Sequence, residues 1–306
     1  MNRACCLAVV FGLVAPAGGA GQGRRIIDVH VHAQELWVPP GSLAEDAGIP
    51  RATGLRAPAS GAEVQAATLA AFDELGIELA IVSGERAELY RAQAPDRILA
   101  SPMLTGTDVP VDSVRSWFSS DRFQALAEFA PQYSGLTPDA PELEPYFALA
   151  EEFDVPVGIH MGPGPPGAAY NGSPAFRMAD ANPMALEPVL VAHPALRVFV
   201  MHAGWPFLDE MVGLLYGYPQ LYVDIGVINW ILPRPEFHQY LRRLVDAGFG
   251  DRIMFGSDQM VWPGAIAQAI EAVESADFLT ESQKDDIFFN NAARFLRLSD
   301  ASGGPS

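Results

Sequence analysis

A (β/α)8 barrel, the TIM-barrel architecture, is the fold class that the 306-residue sequence predicts. Three observations predict it. Eight short apolar runs recur along the chain, longer stretches with helical periodicity separate them, and four of the six histidines fall at the C-terminal ends of those runs. Runs that are apolar on both faces suit parallel strands covered by helices, and eight βα units in one chain of this length suit a closed barrel. A doubly wound open sheet is the alternative. It would carry a glycine-rich turn after strand one, and DVHVHAQ is not one.

The first run, IIDVHVHA from Ile26, alternates apolar and polar residues. Period-two geometry places Asp28, His30 and His32 on one face and Val29 and Val31 on the other, with Asp28 one layer deeper. The next runs are ELAIVSG from Glu78, RILASPML from Arg97, QALAEFA from Gln124 and VPVGIHMG from Val155. LRVFVMHAG from Leu196, LYVDIG from Leu221 and RIMFGSD from Arg252 complete the eight. Apolar residues three and four apart predict helices over Glu63 to Leu75, Leu143 to Phe153, Met184 to Ala192, Phe207 to Tyr216, Glu236 to Ala247 and Ala265 to Ser275. Shorter helices are expected over Glu85 to Gln93 and Val111 to Phe118. The capping-box match TESQ from Thr280 opens a final helix running to about Leu296.

Two inserts, Glu35 to Gly61 and Met161 to Pro183, leave strands one and five at their C-terminal ends, where barrel active sites are built. Ahead of the barrel, Arg3 precedes an apolar run over Ala4 to Ala17 and then small residues, the layout of a secretory signal peptide over residues 1–20. A periplasmic or secreted barrel domain over residues 24–298, with a disordered tail over 299–306, is therefore expected. Both cysteines, Cys5 and Cys6, lie in the leader, so the mature chain offers no disulfide, thiolate nucleophile or Cys metal site. The net charge of −18, without a basic cluster, argues against nucleic acid or an anionic membrane as partner. A small-molecule substrate and, where subunits pair, a homo-oligomer fit the composition.

The histidines divide by position. His30 and His32 end strand one, His160 ends strand five and His202 ends strand six, and Asp258 ends strand eight. His193 lies on the opposite rim and His238 inside a helix, where packing accounts for them. In a closed barrel all inward strand ends converge on one mouth, and imidazole plus carboxylate there is a ligand set for Zn²⁺ or another divalent ion. Such an ion lowers the pKa of its water from 15.7 to about 7, a neighbouring carboxylate can shuttle a proton, and an unliganded imidazole can polarise a carbonyl.

HxH on strand one, histidines after strands five and six, and an aspartate after strand eight resemble the amidohydrolase superfamily of metal-dependent barrels. HAGWP after strand six and NNAARFLRL in the last helix are similar to its amidohydrolase-related (amidohydrolase 2) branch, which includes aminocarboxymuconate semialdehyde decarboxylase and other non-oxidative decarboxylases alongside hydrolases. The resemblance implies that His30, His32 and His160 are metal ligands and that Asp258 is ligand and proton shuttle. His202 is implied as acid/base, electrophile or second-metal ligand. Binuclear relatives carry a carboxylated lysine on strand four, whereas this strand has none; Glu128 either bridges two ions or supports the pocket floor. Asp28 holds an imidazole or makes a plain buried hydrogen bond.

Arg86, Arg177 and Arg234, in loops, are candidates to hold a substrate carboxylate. Trp205, Trp230 and Trp262 follow strands six, seven and eight and are candidate pocket walls, which Tyr170 and Phe176 could close from the long insert. The leading expectation is a metal-dependent hydrolase of an amide, lactone or ester, with Zn²⁺ as the expected ion. Non-oxidative decarboxylation on the same scaffold and a non-catalytic metal- or ligand-binding barrel are the rivals.

Overall fold

The computed structural model describes residues 24–49 and 54–298. The expected signal peptide and the expected tail lie outside the described residues.

Eight parallel strands form in the expected order. They are β1 (Ile26–His32), β2 (Ile77–Ser83), β3 (Ile98–Ser101), β4 (Leu126–Phe129), β5 (Val157–His160), β6 (Val198–Met201), β7 (Leu221–Asp224) and β8 (Ile253–Met254). Continuous ladders run β1-β2-β3 and β4-β5-β6-β7-β8. Two seams close the ring. Gln124 N donates to Ala100 O (2.9 Å) and Leu104 bridges Phe129 between β3 and β4; Val29 N donates to Phe255 O (3.0 Å) and Asp258 N to His30 O (2.7 Å) between β1 and β8. β8 is shorter than RIMFGSD suggests, because Phe255 N donates to Ile287 O of the C-terminal helical segment and the following residues turn into the mouth.

Helices cover the outside: α1 (Gly61–Leu75), α2 (Ala87–Gln93), α3 (Val111–Ser119), α4 (Glu144–Glu152), α5 (Glu187–Ala192) and α6 (Leu208–Gly217). They continue with α7 (Ile228–Ile231), α8 (Arg234–Leu244), α9 (Ala265–Glu274), α10 (Glu281–Asp285) and α11 (Asn291–Phe295). Local chemistry sets their ends. Ser60 Oγ accepts from Glu63 N (3.2 Å) at the start of α1, and the expected capping box between Thr280 and Gln283 opens α10, each cap contributing about 1 kcal/mol. The short α7 is missing from the sequence expectation, since four residues are too few to show a period.

Inside the ring, Ile27, Val29, Ile81, Ala127, Phe199 and Met254 pack together, and Phe295 and Leu296 plug the N-terminal end. Between strands and helices lies the larger core, with Val31, Val64, Val82, Phe129 and Phe237. Among the described residues no helix is long and apolar enough to cross a membrane.

Strict alternation along β1 does not hold. Val29 faces the inner cluster but Val31 the outer one, and the β1-β2 register breaks between Asp28 and Val31. There the amide of His30 leaves the ladder to donate to Asp28 Oδ1 (3.1 Å). β4 carries a similar irregularity between Leu126 and Phe129. Bulges of this kind re-aim side chains beside functional sites, and these two lie beside His30 and Glu128.

Candidate metal centre

The strand ends deliver six buried groups to one mouth: His30 and His32 from β1, Glu128 from β4, His160 from β5, His202 after β6 and Asp258 after β8. Three overlapping sets of potential ligand atoms lie within 4.8 Å of one another: His30, His202 and Asp258; His30, His32 and Glu128; and Glu128, His160 and His202. Ring centroids are 5.3 Å apart for His30 and His32, 5.2 Å for His30 and His202, and 4.7 Å for His160 and His202.

Asp258 sits between the imidazoles. Its Oδ1 lies 2.9 Å from His32 Nε2 and 3.8 Å from His30 Nε2, and its Oδ2 lies 3.7 Å from His202 Nδ1. Despite the short distance to His32, Asp258 Oδ1 is buried without a hydrogen-bond partner, as is His30 Nε2. Buried polar atoms left unsatisfied cost about 1–3 kcal/mol each. An unpartnered carboxylate oxygen and an unpartnered ring nitrogen converging beside a second imidazole fit a divalent cation, which would take the place of a ring proton and satisfy both. Glu128 faces two imidazoles, with Oε2 3.5 Å from His32 Nε2 and Oε1 3.6 Å from His160 Nε2.

The charges divide the mouth. Burial alone lowers the pKa of His30, but the carboxylates of Asp258, Asp224 and Glu128 outweigh it and raise His30 to about 10. Burial favours the neutral acid of Asp258, yet His30, His32 and His202 together hold it well below the usual carboxylate range. His160 goes the other way, lowered by burial and by the neighbouring His202. Its Nδ1 pairs with the Gln132 amide rather than with a carboxylate. Asp28 is wholly buried and is pushed up to about 7 by burial, against hydrogen bonds from Ser257 and His30. Its Oδ1 accepts from Ser257 N (2.9 Å), so it braces the β1-β8 seam instead of lying one layer below the imidazoles on their face. The bulge in β1 is the physical reason.

The backbone here is held in uncommon conformations. His202, Ala203, Val227, Asp258 and Met260 all have positive φ, between 47° and 59°. For L-residues the left-handed region costs roughly 1–2 kcal/mol each, and such residues gather at functional sites.

A family model described as amidohydrolase (Amidohydro_2) matches residues 27–298. The chain belongs to the amidohydrolase family. A curated relative, Protein fluG of Emericella nidulans, is 21% identical over 144 residues, which is 42% of this chain and only 17% of that protein. Among solved structures, a dihydroxybenzoic acid decarboxylase from Polaromonas sp. JS666, with bound manganese and an inhibitor, superposes with a TM-score of 0.62 at 16% identity, covering 90% of this chain and 97% of that one. A probable 2-pyrone-4,6-dicarboxylic acid hydrolase from Acinetobacter baumannii superposes with a TM-score of 0.60 at 16% identity, covering 90% of this chain and 100% of that one. At these identities the structures establish the barrel fold.

In this amidohydrolase the expected arginines are engaged elsewhere. Arg86 pairs with Glu35 and donates to Gln65 Oε1 (3.2 Å), tying the first insert to α1. Arg177 donates to the Pro174 and Phe176 carbonyls of its own loop (2.9 and 2.7 Å), and Arg234 pairs with Glu271 on α9. The aromatic walls are corrected in part. Tyr170 is 92% exposed, pointing into solvent rather than closing the mouth, because the tight turns over 165–173 carry it outward. Phe176 packs on Tyr133 (5.3 Å), whose ring in turn meets His160 edge-on at 5.3 Å. Trp230 donates to Ser257 O (2.8 Å), Trp262 is buried edge-on to Trp37, and Trp205 reaches Glu236 (3.4 Å); these indoles brace the rim loops.

Sequence reasoning missed four residues. Asp224 ends β7, wholly buried; the available signal was a lone carboxylate inside the apolar run LYVDIG. Gln259 brackets His32 by accepting from its amide (3.0 Å) and donating to its carbonyl (2.8 Å). Gln132 and Tyr133 reach His160 from the turn after β4, and no local pattern marks them.

Proposed function

We propose that this amidohydrolase-family enzyme is a metal-dependent hydrolase of an amide, lactone or ester, and that its ion is Zn²⁺. The observation that carries the reading is the placement of Asp258, with one oxygen toward the β1 imidazoles and the other toward His202. His30, His32, His160 and Asp258 would hold the ion, with His160, which here clusters with Glu128 and His202, closing on the other three, and three imidazoles with a carboxylate suit zinc. When bound, the ion acidifies a water to a pKa of about 7 and polarises the substrate carbonyl.

The chain's own groups do the rest. Asp258 takes the proton of the attacking water and returns it to the leaving nitrogen or oxygen, a role that commonly contributes about 10²–10⁴-fold. His202 Nδ1 donates to Gly226 O (3.1 Å), which leaves Nε2 as the ring nitrogen free to exchange a proton with substrate. Tyr133 stays a neutral hydroxyl, because burial and the nearby Glu128 and Asp258 charges raise its pKa, so it can donate to a substrate oxygen. Glu128 supports the ligand imidazoles in a one-ion site.

Non-oxidative decarboxylation is the second reading, favoured by the decarboxylases among the similar solved structures. Against it, among the described residues no arginine or lysine pairs with the mouth carboxylates, and the three candidate arginines serve other partners. The test is zinc-loaded protein assayed on amide, lactone and ester panels, with CO₂ release from hydroxylated aromatic acids measured in parallel. Turnover on the first and none on the second supports hydrolysis; CO₂ release alone overturns it. Export is part of the proposal and rests on the leader pattern of residues 1–20. Mass spectrometry of the N-terminus of protein recovered outside the cytoplasm checks it.

A further inference from the structure

We infer that Asp224 is a positioning residue that sets the tautomer of His30 and thereby its capacity to bind the ion, an inference that rests on the metal reading above. Asp224 is wholly buried at the end of β7. Its Oδ2 lies 3.1 Å from His30 Nδ1. Its Oδ1 accepts from Gly226 N (2.7 Å) and from His202 N (3.1 Å). One carboxylate therefore grips an imidazole of the candidate ligand set and the backbone that carries the candidate acid/base.

The chemistry follows from donor and acceptor inventories. A carboxylate oxygen accepts, so His30 must present N–H at Nδ1, and Nε2 is the nitrogen left to give up its proton and ligate. Nε2 is the atom that is buried without a partner and aimed at Asp258. Close packing keeps the arrangement fixed. A Cβ on Gly226 would stand 2.9 Å from His30 Nδ1 and 3.1 Å from Asp224 Oδ1, and a Cβ on Gly256 would stand 2.8 Å from His30 Cβ and 3.2 Å from Asp224 Cγ. Turning the ring over would set a ring carbon against Asp224 Oδ2 in place of the Nδ1 hydrogen bond, which disfavours offering the other nitrogen.

Asp224→Asn keeps the side-chain shape but reverses half of this logic. The single amide oxygen is needed by the two backbone N–H groups, so the amide NH₂ faces His30 Nδ1 and selects the Nε2–H tautomer, as replacing an orienting aspartate by asparagine does elsewhere. The ligating lone pair is then blocked. Orienting partners of metal-bound histidines typically contribute about 10- to 100-fold in metal affinity.

The experiment uses the full chain and Zn²⁺ alone as probe, by competition titration against a chromophoric chelator, with ¹⁵N NMR of the histidine rings. Zinc uptake by the unsubstituted protein is scored first; its absence would overturn the metal reading and this inference together. With uptake established, D224N is expected to bind Zn²⁺ about 10- to 100-fold more weakly, with the His30 proton moved from Nδ1 to Nε2. Affinity within threefold of the unsubstituted protein would overturn the inference alone. Should D224N fail to fold, the zinc-loaded unsubstituted protein decides: a protonated His30 Nδ1 supports the inference, and a bare one overturns it.

Discussion

The two ends of the barrel share a geometric problem, but only the mouth places histidine, valine and methionine in the positive-φ positions that solve it. At the N-terminal rim, tight turns into the strands need positive φ, and the chain supplies Gly76 before β2, Asp121 before β4, Asp154 before β5 and Gly248 before β8. Glycine and aspartate adopt that conformation at little cost. Both aspartates also meet arginines in the usual surface fashion, Asp121 with Arg91 (2.6 Å) and Asp154 with Arg197 (2.8 Å) and Arg297 (2.7 Å). At the mouth, glycines such as Gly84 and Gly162 share positive φ with His202, Ala203, Val227, Asp258 and Met260, and the buried carboxylates face imidazoles. The rim is built for stability. The mouth holds strain and unneutralised acidity, which a bound cation would relieve.

The largest expected effect is on the mouth. Asp258→Asn should lower turnover of the best panel substrate by about 10²–10⁴-fold while the protein still unfolds cooperatively above the assay temperature. A loss that merely followed unfolding would return Asp258 to a structural role. Next comes packing. Gly226→Ala should destabilise by about 1–3 kcal/mol in denaturant titrations, because the new Cβ meets His30, Asp224 and Asp258.

A third prediction concerns pH. His30, at about 10 in the folded metal-free protein against about 6.5 unfolded, binds its proton more tightly when folded. Its contribution to stability is complete below about pH 6.5 and is lost as pH rises toward 10. The melting temperature of metal-free protein should therefore fall across that window, and saturating Zn²⁺ should reverse the fall by binding only the folded state. A midpoint that rises with pH in chelator would contradict the charge assignment. The smallest effect belongs to the outer layer: Gly213→Ala in α6, with open space around the position, should gain up to about 1 kcal/mol.

Much of this was legible in the residues. Two-sided apolar runs and the periodic stretches between them specify strands and helices locally, and histidines at run ends mark the mouth because barrel topology gathers those ends. What local pattern could not reveal was where alternation breaks. The bulge beside His30 arises from a side chain taking over a backbone amide, so of the two roles expected for Asp28 it is the plain buried hydrogen bond that the structure shows, and the seam it braces had no local signal. Asp224 was hidden in LYVDIG because its importance lies in contacts with His30 and His202, distant in sequence. The partners of two candidate arginines were hidden for the same reason: Glu35, which pairs with Arg86, and Glu271, which pairs with Arg234, are 51 and 37 residues away.

The central claim, a metal held by the β1, β5 and β8 strand ends, is tested most directly by anomalous diffraction at the zinc edge from crystals of zinc-loaded protein. The account predicts one strong peak with His30, His32, His160 and Asp258 donor atoms at about 2.0–2.2 Å. A peak remote from these residues, or a fully loaded protein whose ion sits on other side chains, would contradict it.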